Sequence, residues 1–212
     1  MLDKEEQEIL SFRDNIEINQ NRMELLKKYI EILDTYQSKL NLIGKSTRKN
    51  IWTRHLLDSA QIINLLPKQN KKDLIIDIGT GAGFPGLVLS ILGRKDIILC
   101  DKSNKKINFL NFVVKKCNLK VKIYNGKIEE YNNNNIKVIV SRAFSPLKNL
   151  LKSVNHIINP KTVIIIHKGR KHMQELEEAK KYYSFTVNTY NSITDSFGKI
   201  LKIKNVEKTY DI

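Results

Sequence analysis

The stretch Asp77-Ile78-Gly79-Thr80-Gly81-Ala82-Gly83-Phe84-Pro85-Gly86 follows the apolar run Leu74-Ile75-Ile76 and packs four glycines into ten residues. A short apolar strand that breaks into a glycine-rich turn and then a helix is the opening βα unit of a nucleotide-type α/β fold. Its glycines let a ligand approach the backbone. Two spacings overlap here. Gly81-x-Gly83-x-x-Gly86 fits the dinucleotide fingerprint, whose loop and helix N-terminus face a pyrophosphate. Asp77-x-Gly79-x-Gly81 instead sets a carboxylate just upstream of a G-x-G. That carboxylate would repel a diphosphate. It suits S-adenosylmethionine, which carries an ammonium and a sulfonium and no phosphate.

Acids at the next two strand ends extend the pattern. Asp101 closes the apolar run Ile97–Cys100, where a carboxylate accepts from the ribose hydroxyls of either cofactor. Gly126-Lys127-Ile128-Glu129-Glu130 follows the third strand, at the position that meets an adenine edge. Acids after three successive strands, all facing the crevice where strand order reverses, favour S-adenosylmethionine.

Outward from this core the chain alternates. Strand-like runs at Leu74–Ile78, Ile97–Cys100, Val121–Tyr124, Ile136–Val140 and Thr162–His167 are separated by helical patterns near 85–93, 103–118, 146–158 and 170–182. Ser103 is an N-cap candidate for the second of these helices. Such alternation predicts βαβ units on a parallel sheet. The tail, about 184–206, reads as closing antiparallel strands (Phe185-Thr186-Val187 and Lys199–Ile203) around Ser196-Phe197-Gly198. Upstream, residues 3–18 and 22–40 have helical periodicity, with Gly44 as the expected left-handed stop of the second helix. A third amphipathic segment spans 49–66, with Trp52 expected to pack among the helices. The fold class expected is therefore α/β: a Rossmann-like class I S-adenosylmethionine-dependent methyltransferase, with a mostly parallel sheet and helices on both faces. A small helical region of 1–70, ending at the polar stretch Lys68-Gln69-Asn70-Lys71-Lys72, is expected to pack on a methyltransferase domain of 71–212.

Among 212 residues, 37 are Lys or Arg and 22 are Asp or Glu, a net charge of +15 that points to a polyanionic partner such as nucleic acid. Abundant Lys, Asn and Ile also reflect composition at large. No apolar run is long enough to span a bilayer and the N-terminus has no secretory pattern, so a cytoplasmic location is expected. Cys100 and Cys117 lack metal-ligand spacing, as do the four histidines, and no metal is expected.

Methyl transfer is an in-line displacement in which the enzyme mainly supplies alignment. Exocyclic-amine methylases carry N/D-P-P-Y/F after the fourth strand; here Ser141-Arg142-Ala143-Phe144-Ser145-Pro146 stands instead. Cytosine C5 chemistry needs a nucleophilic cysteine, and Cys100, inside a strand, and Cys117, late in a helix, are not placed for it. Acceptors with their own lone pair remain, such as a purine ring N7. No residue is nominated for proton transfer.

At this point a family resemblance emerges. Asn41-Leu42-Ile43, His55-Leu56-Leu57-Asp58-Ser59, the glycine loop, Asp101-x-x-x-Lys105-Lys106-x-x-Phe109-Leu110, Gly126-x-x-Glu129-Glu130, Ser141-Arg142-Ala143 and His167-Lys168-Gly169 resemble the bacterial small-subunit ribosomal RNA guanine-N7 methyltransferases, RsmG or GidB. The likeness covers about residues 25–170. Phe84 stands where an aliphatic residue also occurs in the family, and Ile128 where a small residue is commoner. The resemblance implies cofactor contacts at Gly79, Phe84, Ile128, Glu129 and Arg142, beside Gly81 and Asp101 from the residues themselves. It also implies methylation of N7 of one guanine in 16S ribosomal RNA, met on the small subunit. Alternatives are another RNA or a small molecule as acceptor, or a non-catalytic rRNA-binding assembly factor. A monomer is expected.

Other residues carry two readings. Arg142, at the crevice mouth, suits either cofactor and RNA phosphate or a salt bridge to a nearby acid. Lys168 after the fifth strand suits an RNA phosphate. His55 and Asp58 share a helix face, which suits a hydrogen-bonded tie from the helices to the sheet; alternatively, Arg54 or His55 stands at the RNA entrance. Lys105 and Lys106 read as a solvated helix face.

Overall fold

The computed structural model describes residues 2–70, 72–133 and 135–209. Met1, Lys71 and 210–212, which fall at the bounds of the two expected regions, lie outside the described residues. Among the described residues, seven strands make one sheet: β1 (Leu74–Ile78), β2 (Ile97–Asp101), β3 (Lys122–Asn125), β4 (Ile136–Arg142), β5 (Val163–Lys168), β6 (Tyr183–Asn191) and β7 (Lys199–Lys208). Their order is β3-β2-β1-β4-β5-β7-β6. β1 to β5 run parallel, and β7 enters antiparallel between β5 and β6. β1 and β2 are Ile- and Leu-rich and almost wholly buried, as strands covered on both faces must be. Order reverses between β1 and β4, which opens a crevice at their carboxyl ends.

Helices cover both faces. On one side Gly86–Ile91 and Asn104–Lys116 contribute Leu87, Val88, Phe109 and Leu110 to a core shared with the N-terminal helices. On the other, Leu147–Val154 and His172–Lys180 bury Leu147, Leu150, Leu151 and Leu176 against the sheet. The N-terminal helices are Lys4–Asn15, opened by a reciprocal Asp3–Glu6 capping box, and Gln20–Leu40, capped by Asn19. Met23, Leu26, Tyr29, Ile30 and Leu33 form the buried stripe of the second helix. Trp52 is buried among the helices, edge-on to Phe12 at 5.7 Å between ring centroids. Each such side chain contributes about 1.5–3 kcal/mol by burial.

The structure departs from the sequence expectation at two places in this region. The helix ends at Leu40 as expected, but its left-handed stop is Asn41 (φ 46°), not Gly44 (φ −63°), because asparagine tolerates that conformation directly after the last helical residue. The segment 49–66 is not one regular helix: Trp52–Leu57 is a π-helical turn followed by short helical pieces. Ser103 does stand at the N-cap of Asn104–Lys116, but its side chain makes no capping bond; Asp101 Oδ1 accepts from its backbone N–H instead, at 2.9 Å.

Candidate active site at the β1–β4 switch point

Three glycines of the loop adopt positive φ: Gly79 (66°), Gly81 (61°) and Gly83 (109°). At Gly79 a Cβ would also lie 2.6 Å from Phe144 Cδ2, so glycine is required there both by conformation and by the ring that covers it. Asp77 is fully buried beneath the loop. Its Oδ2 accepts from Thr80 Oγ1 (2.6 Å) and Gly86 N–H (2.7 Å), while Oδ1 is buried without a hydrogen-bond partner. Asp77 therefore shapes the turn from inside; the sequence pattern pointed to a charge presented to the cofactor, and burial under Thr80 and Gly86 overturns that. Burial pushes its carboxyl up to about 7 against the lowering effect of those two hydrogen bonds.

That shift has a measurable consequence. The folded state holds the Asp77 proton longer than the unfolded chain, so the site weakens the fold as pH rises from its ordinary value of 3.8 to about 7. The slope approaches 1.36 kcal/mol per pH unit, or about 4 kcal/mol in all. Asp77→Asn keeps an acceptor for Thr80 and Gly86 but cannot ionise. Denaturant unfolding at pH 4 through 7 should show the variant gaining steadily on the wild type. A gap independent of pH would contradict the assignment.

Asp101, at the end of β2, accepts from Gly81 N–H at 3.0 Å through Oδ2 and from Ser103 N–H through Oδ1, and Lys106 Nζ approaches it at 3.6 Å. Lys106 is thus part of the crevice wall and not simply a solvated helix face. Opposite stands the short 3-10 turn Ile128–Glu130. Ile128 is buried. Burial opposes ionisation of Glu129, but the Ser153 hydroxyl, its own backbone N–H and the nearby Lys127 and His156 hold its carboxyl below the usual range. Between them lies a crevice of about 690 Å³ that reaches Gly79, Ala143 and Phe144. Its size is that of a cofactor site.

Phe84 and Arg142 stand elsewhere. The Phe84 ring is buried 5.6 Å from Tyr29 and 4.9 Å from His55, under the Arg142 guanidinium at 5.0 Å. Arg142 donates to Asp58 Oδ2 (3.2 Å), His55 Nδ1 (2.8 Å) and the Arg54 carbonyl (3.0 Å). Arginine has no acceptor, so His55 Nδ1 must be bare and its proton sits on Nε2, which donates to Thr47 Oγ1 at 2.8 Å. Burial first, and the Arg142 charge second, lower His55 to about 3. Nδ1 makes the tie from the helices to β4, the first of the two readings made from sequence, and Nε2 anchors the ring within the helical region. Tyr29 adds a second tie, its hydroxyl donating to the Ala82 carbonyl in the glycine loop at 2.7 Å.

These groups wall a second cavity of about 470 Å³, which also reaches Lys168, Glu175, Asp195 and Lys199. Arg54 is half-open at its rim and pairs with Asp195 at 3.3 Å. Lys168 is largely buried, donating to Ser145 carbonyl (2.7 Å) and Glu175 (2.6 Å), so two of its three ammonium protons are committed. The two cavities meet at Ala143 and Phe144, which line both. Ala143 sits at φ 53°, a left-handed conformation that costs an alanine about 1–2 kcal/mol. Sequence offered no sign of this junction beyond the Ser141-Arg142-Ala143 motif. Among the described residues no group of His, Cys, Asp and Glu could hold a metal, and no helix is long and apolar enough to cross a membrane.

A family model described as rRNA small subunit methyltransferase G matches residues 22–203, nearly the whole chain. The chain belongs to that family. It is 31% identical to the ribosomal RNA small subunit methyltransferase G of Rhodospirillum rubrum, covering 93% of this chain and 98% of the relative. With the protein of the same name from Rickettsia prowazekii it shares 35% identity over 88% of this chain and 95% of that one. Solved structures agree on the fold. The ribosomal protein L11 methylase of Lactobacillus delbrueckii superposes with a TM-score of 0.56 at 14% identity, covering 72% of this chain and 78% of its own. A mutant of MtNAS in complex with S-adenosylmethionine gives 0.59 at 13% identity, covering 88% and 72%. The family and the Rossmann-like class I methyltransferase fold thus stand on independent comparisons.

Proposed function

We propose that the protein transfers a methyl group from S-adenosylmethionine to N7 of a specific guanine in small-subunit (16S) ribosomal RNA, acting as a cytoplasmic monomer. The observation that carries this reading is the junction of two cavities at Ala143–Phe144, one lined by the acceptors Asp101 and Glu129 and one walled by Arg54, Arg142, Lys168 and Lys199 together with the carboxylates Asp58, Glu175 and Asp195. S-adenosylmethionine, when bound, supplies a sulfonium-linked methyl for in-line displacement.

The chain's own residues fit that cofactor. Asp101 accepts the ribose hydroxyls with lone pairs left over from Gly81 and Ser103, since a carboxylate offers about four acceptor positions. Gly79 and Gly81 bring backbone close to the methionine end, and Ile128 and Glu129 meet the adenine. Arg142 and Phe84, implied as cofactor contacts by the resemblance, act from behind by fixing the wall between the two cavities. Residues 1–70 form a helical region packed on the methyltransferase domain of 71–212 and carry Arg54 and His55 to the acceptor side. Arg54 and Lys168 face the RNA, and His55 and Arg142 hold the surface they stand on. Guanine N7 is nucleophilic as it stands, so alignment and exclusion of water suffice and no residue needs to take a proton.

The test is transfer of labelled methyl to small ribosomal subunits from a strain lacking the gene, with tRNA and naked rRNA in parallel. One labelled guanine, mapped by the strand cleavage that N7-methylguanine permits, is the expected product. No label on any RNA, with cofactor binding intact, would overturn the proposal. Binding to the RNA should also weaken steeply with salt, losing at least about tenfold between 50 and 200 mM, because the contacts are largely phosphate to Lys and Arg. Salt-insensitive binding would point to a small-molecule acceptor.

A further inference from the structure

Beside the cavity of Arg142 and Lys168, the connection between β6 and β7, residues 192–198, carries an aromatic ring that the fold does not bury. Phe197 is 51% exposed, and the Arg170 guanidinium lies over its ring with Cζ 3.5 Å from the centroid. Both residues flank cavity-lining positions: Arg170 follows Lys168 and Gly169, and Phe197 precedes Gly198 and Lys199.

The loop beneath the ring is held firmly. Asp195 Oδ1 accepts from Phe197 N–H at 2.9 Å, and the Asp195 carbonyl accepts from Gly198 N–H at 2.9 Å. Arg54 donates to Asp195 Oδ2, Thr194 Oγ1 donates to Asp58 at 2.7 Å, and Gln61 accepts from Ile193 N–H at 3.0 Å. The backbone at Phe197 is therefore fixed to the N-terminal helical region while the ring stands in solvent. An exposed phenylalanine adds nothing to the core. A preset aromatic face with a guanidinium on it offers what an unpaired base requires: a π surface for stacking and a cation beside it.

We propose that Phe197 and Arg170 form a stacking platform for an unpaired nucleotide next to the methylated guanine, holding the RNA strand at the lip of the acceptor cavity. This rests on the rRNA reading above. Charge favours a polyanion as the occupant. Arg170 lies on the ring, Lys171 stands next to Arg170 and Lys199 two residues after Phe197 in the chain, and Asp195, whose Oδ1 holds the Phe197 N–H, is already paired with Arg54. Two of the residues that fix the loop, Asp58 and Arg54, line the acceptor cavity, so the platform and the cavity keep a constant spacing.

The experiment compares steady-state methylation of unmethylated small subunits by the wild type and by Phe197→Ala, Phe197→Leu, Phe197→Trp and Arg170→Ala, with cofactor affinity measured for each. Loss of a stacked base should raise KM for the subunit about tenfold in Phe197→Ala and Phe197→Leu, with kcat and cofactor affinity retained. Phe197→Trp should restore KM to within about threefold of the wild type, because tryptophan keeps a π face and leucine keeps only apolar area. Arg170→Ala should raise KM in the same direction. If Phe197→Ala fails to bind cofactor, the contrast of leucine with tryptophan decides. Unchanged KM in the leucine variant, or equal damage from leucine and tryptophan, overturns the platform. A wild type that methylates no rRNA overturns the underlying reading instead, before any variant is compared.

Discussion

Asp101→Ala should lower affinity for S-adenosylmethionine by about 100-fold or more, measured by calorimetric titration. Two losses combine. The carboxylate proposed to accept from the ribose is removed, and hydrogen bonds to a charged group contribute about 1.5–3 kcal/mol. Gly81 N–H and Ser103 N–H, which Asp101 binds at 3.0 and 2.9 Å, also lose their acceptor, so the glycine turn is released just where the ligand must be met. Asp101→Asn separates the two contributions: it can still accept from one backbone N–H but lacks the charge, and should fall between alanine and wild type. Affinity within about threefold of wild type in the alanine variant would remove Asp101 from the cofactor site.

Arg142→Ala should cost about 2–4 kcal/mol of folding stability. Breaking a buried ion pair from one side costs about 3–5 kcal/mol, and the lower range here reflects side chains that are 18% and 17% exposed at Arg142 and Asp58. Asp58 would keep Gln61 and Thr194 on Oδ1 but lose the guanidinium on Oδ2, and His55 Nδ1 would lose its donor. For a chain of this size the melting temperature should fall by about 5–15 °C. The His55 imidazole, now at about 3, should rise, because the second-largest influence holding it down is the Arg142 charge. An NMR titration of His55 reads this directly. Arg142→Lys should rescue little, since an ammonium cannot span Asp58, His55 and the Arg54 carbonyl from one position. Unchanged stability and an unmoved His55 would show that the tie is not what joins the helices to β4.

Much of this architecture was legible in the sequence, for local reasons. The glycine turn, the parallel strands and Asp101 all follow from neighbouring residues: apolar runs make strands, and an acid after a strand end faces the crevice. The spacing of His55 and Asp58 disclosed the helix-to-sheet tie, but not that Arg142, 84 positions from Asp58, completes it. Apolar periodicity could not reveal the π turn at Trp52–Leu57, because a single wider turn leaves the surrounding pattern helical. Asp77 was legible as an acid near the loop and illegible as a buried one, since burial depends on Thr80 and Gly86 folding back over it. The Phe144 ring over Gly79 and the left-handed Ala143 depend on how β1 and β4 lie side by side, which no local pattern encodes.

On the proposed function, the two cavities are the donor and acceptor halves of one site. A crystal structure of the protein with S-adenosylmethionine tests it most directly. Adenosine is expected between Asp101 and Glu129, with the sulfonium methyl at Ala143–Phe144 and open to the cavity of Arg142 and Lys168. A cofactor seated in the same crevice with its methyl turned away from that cavity would contradict it.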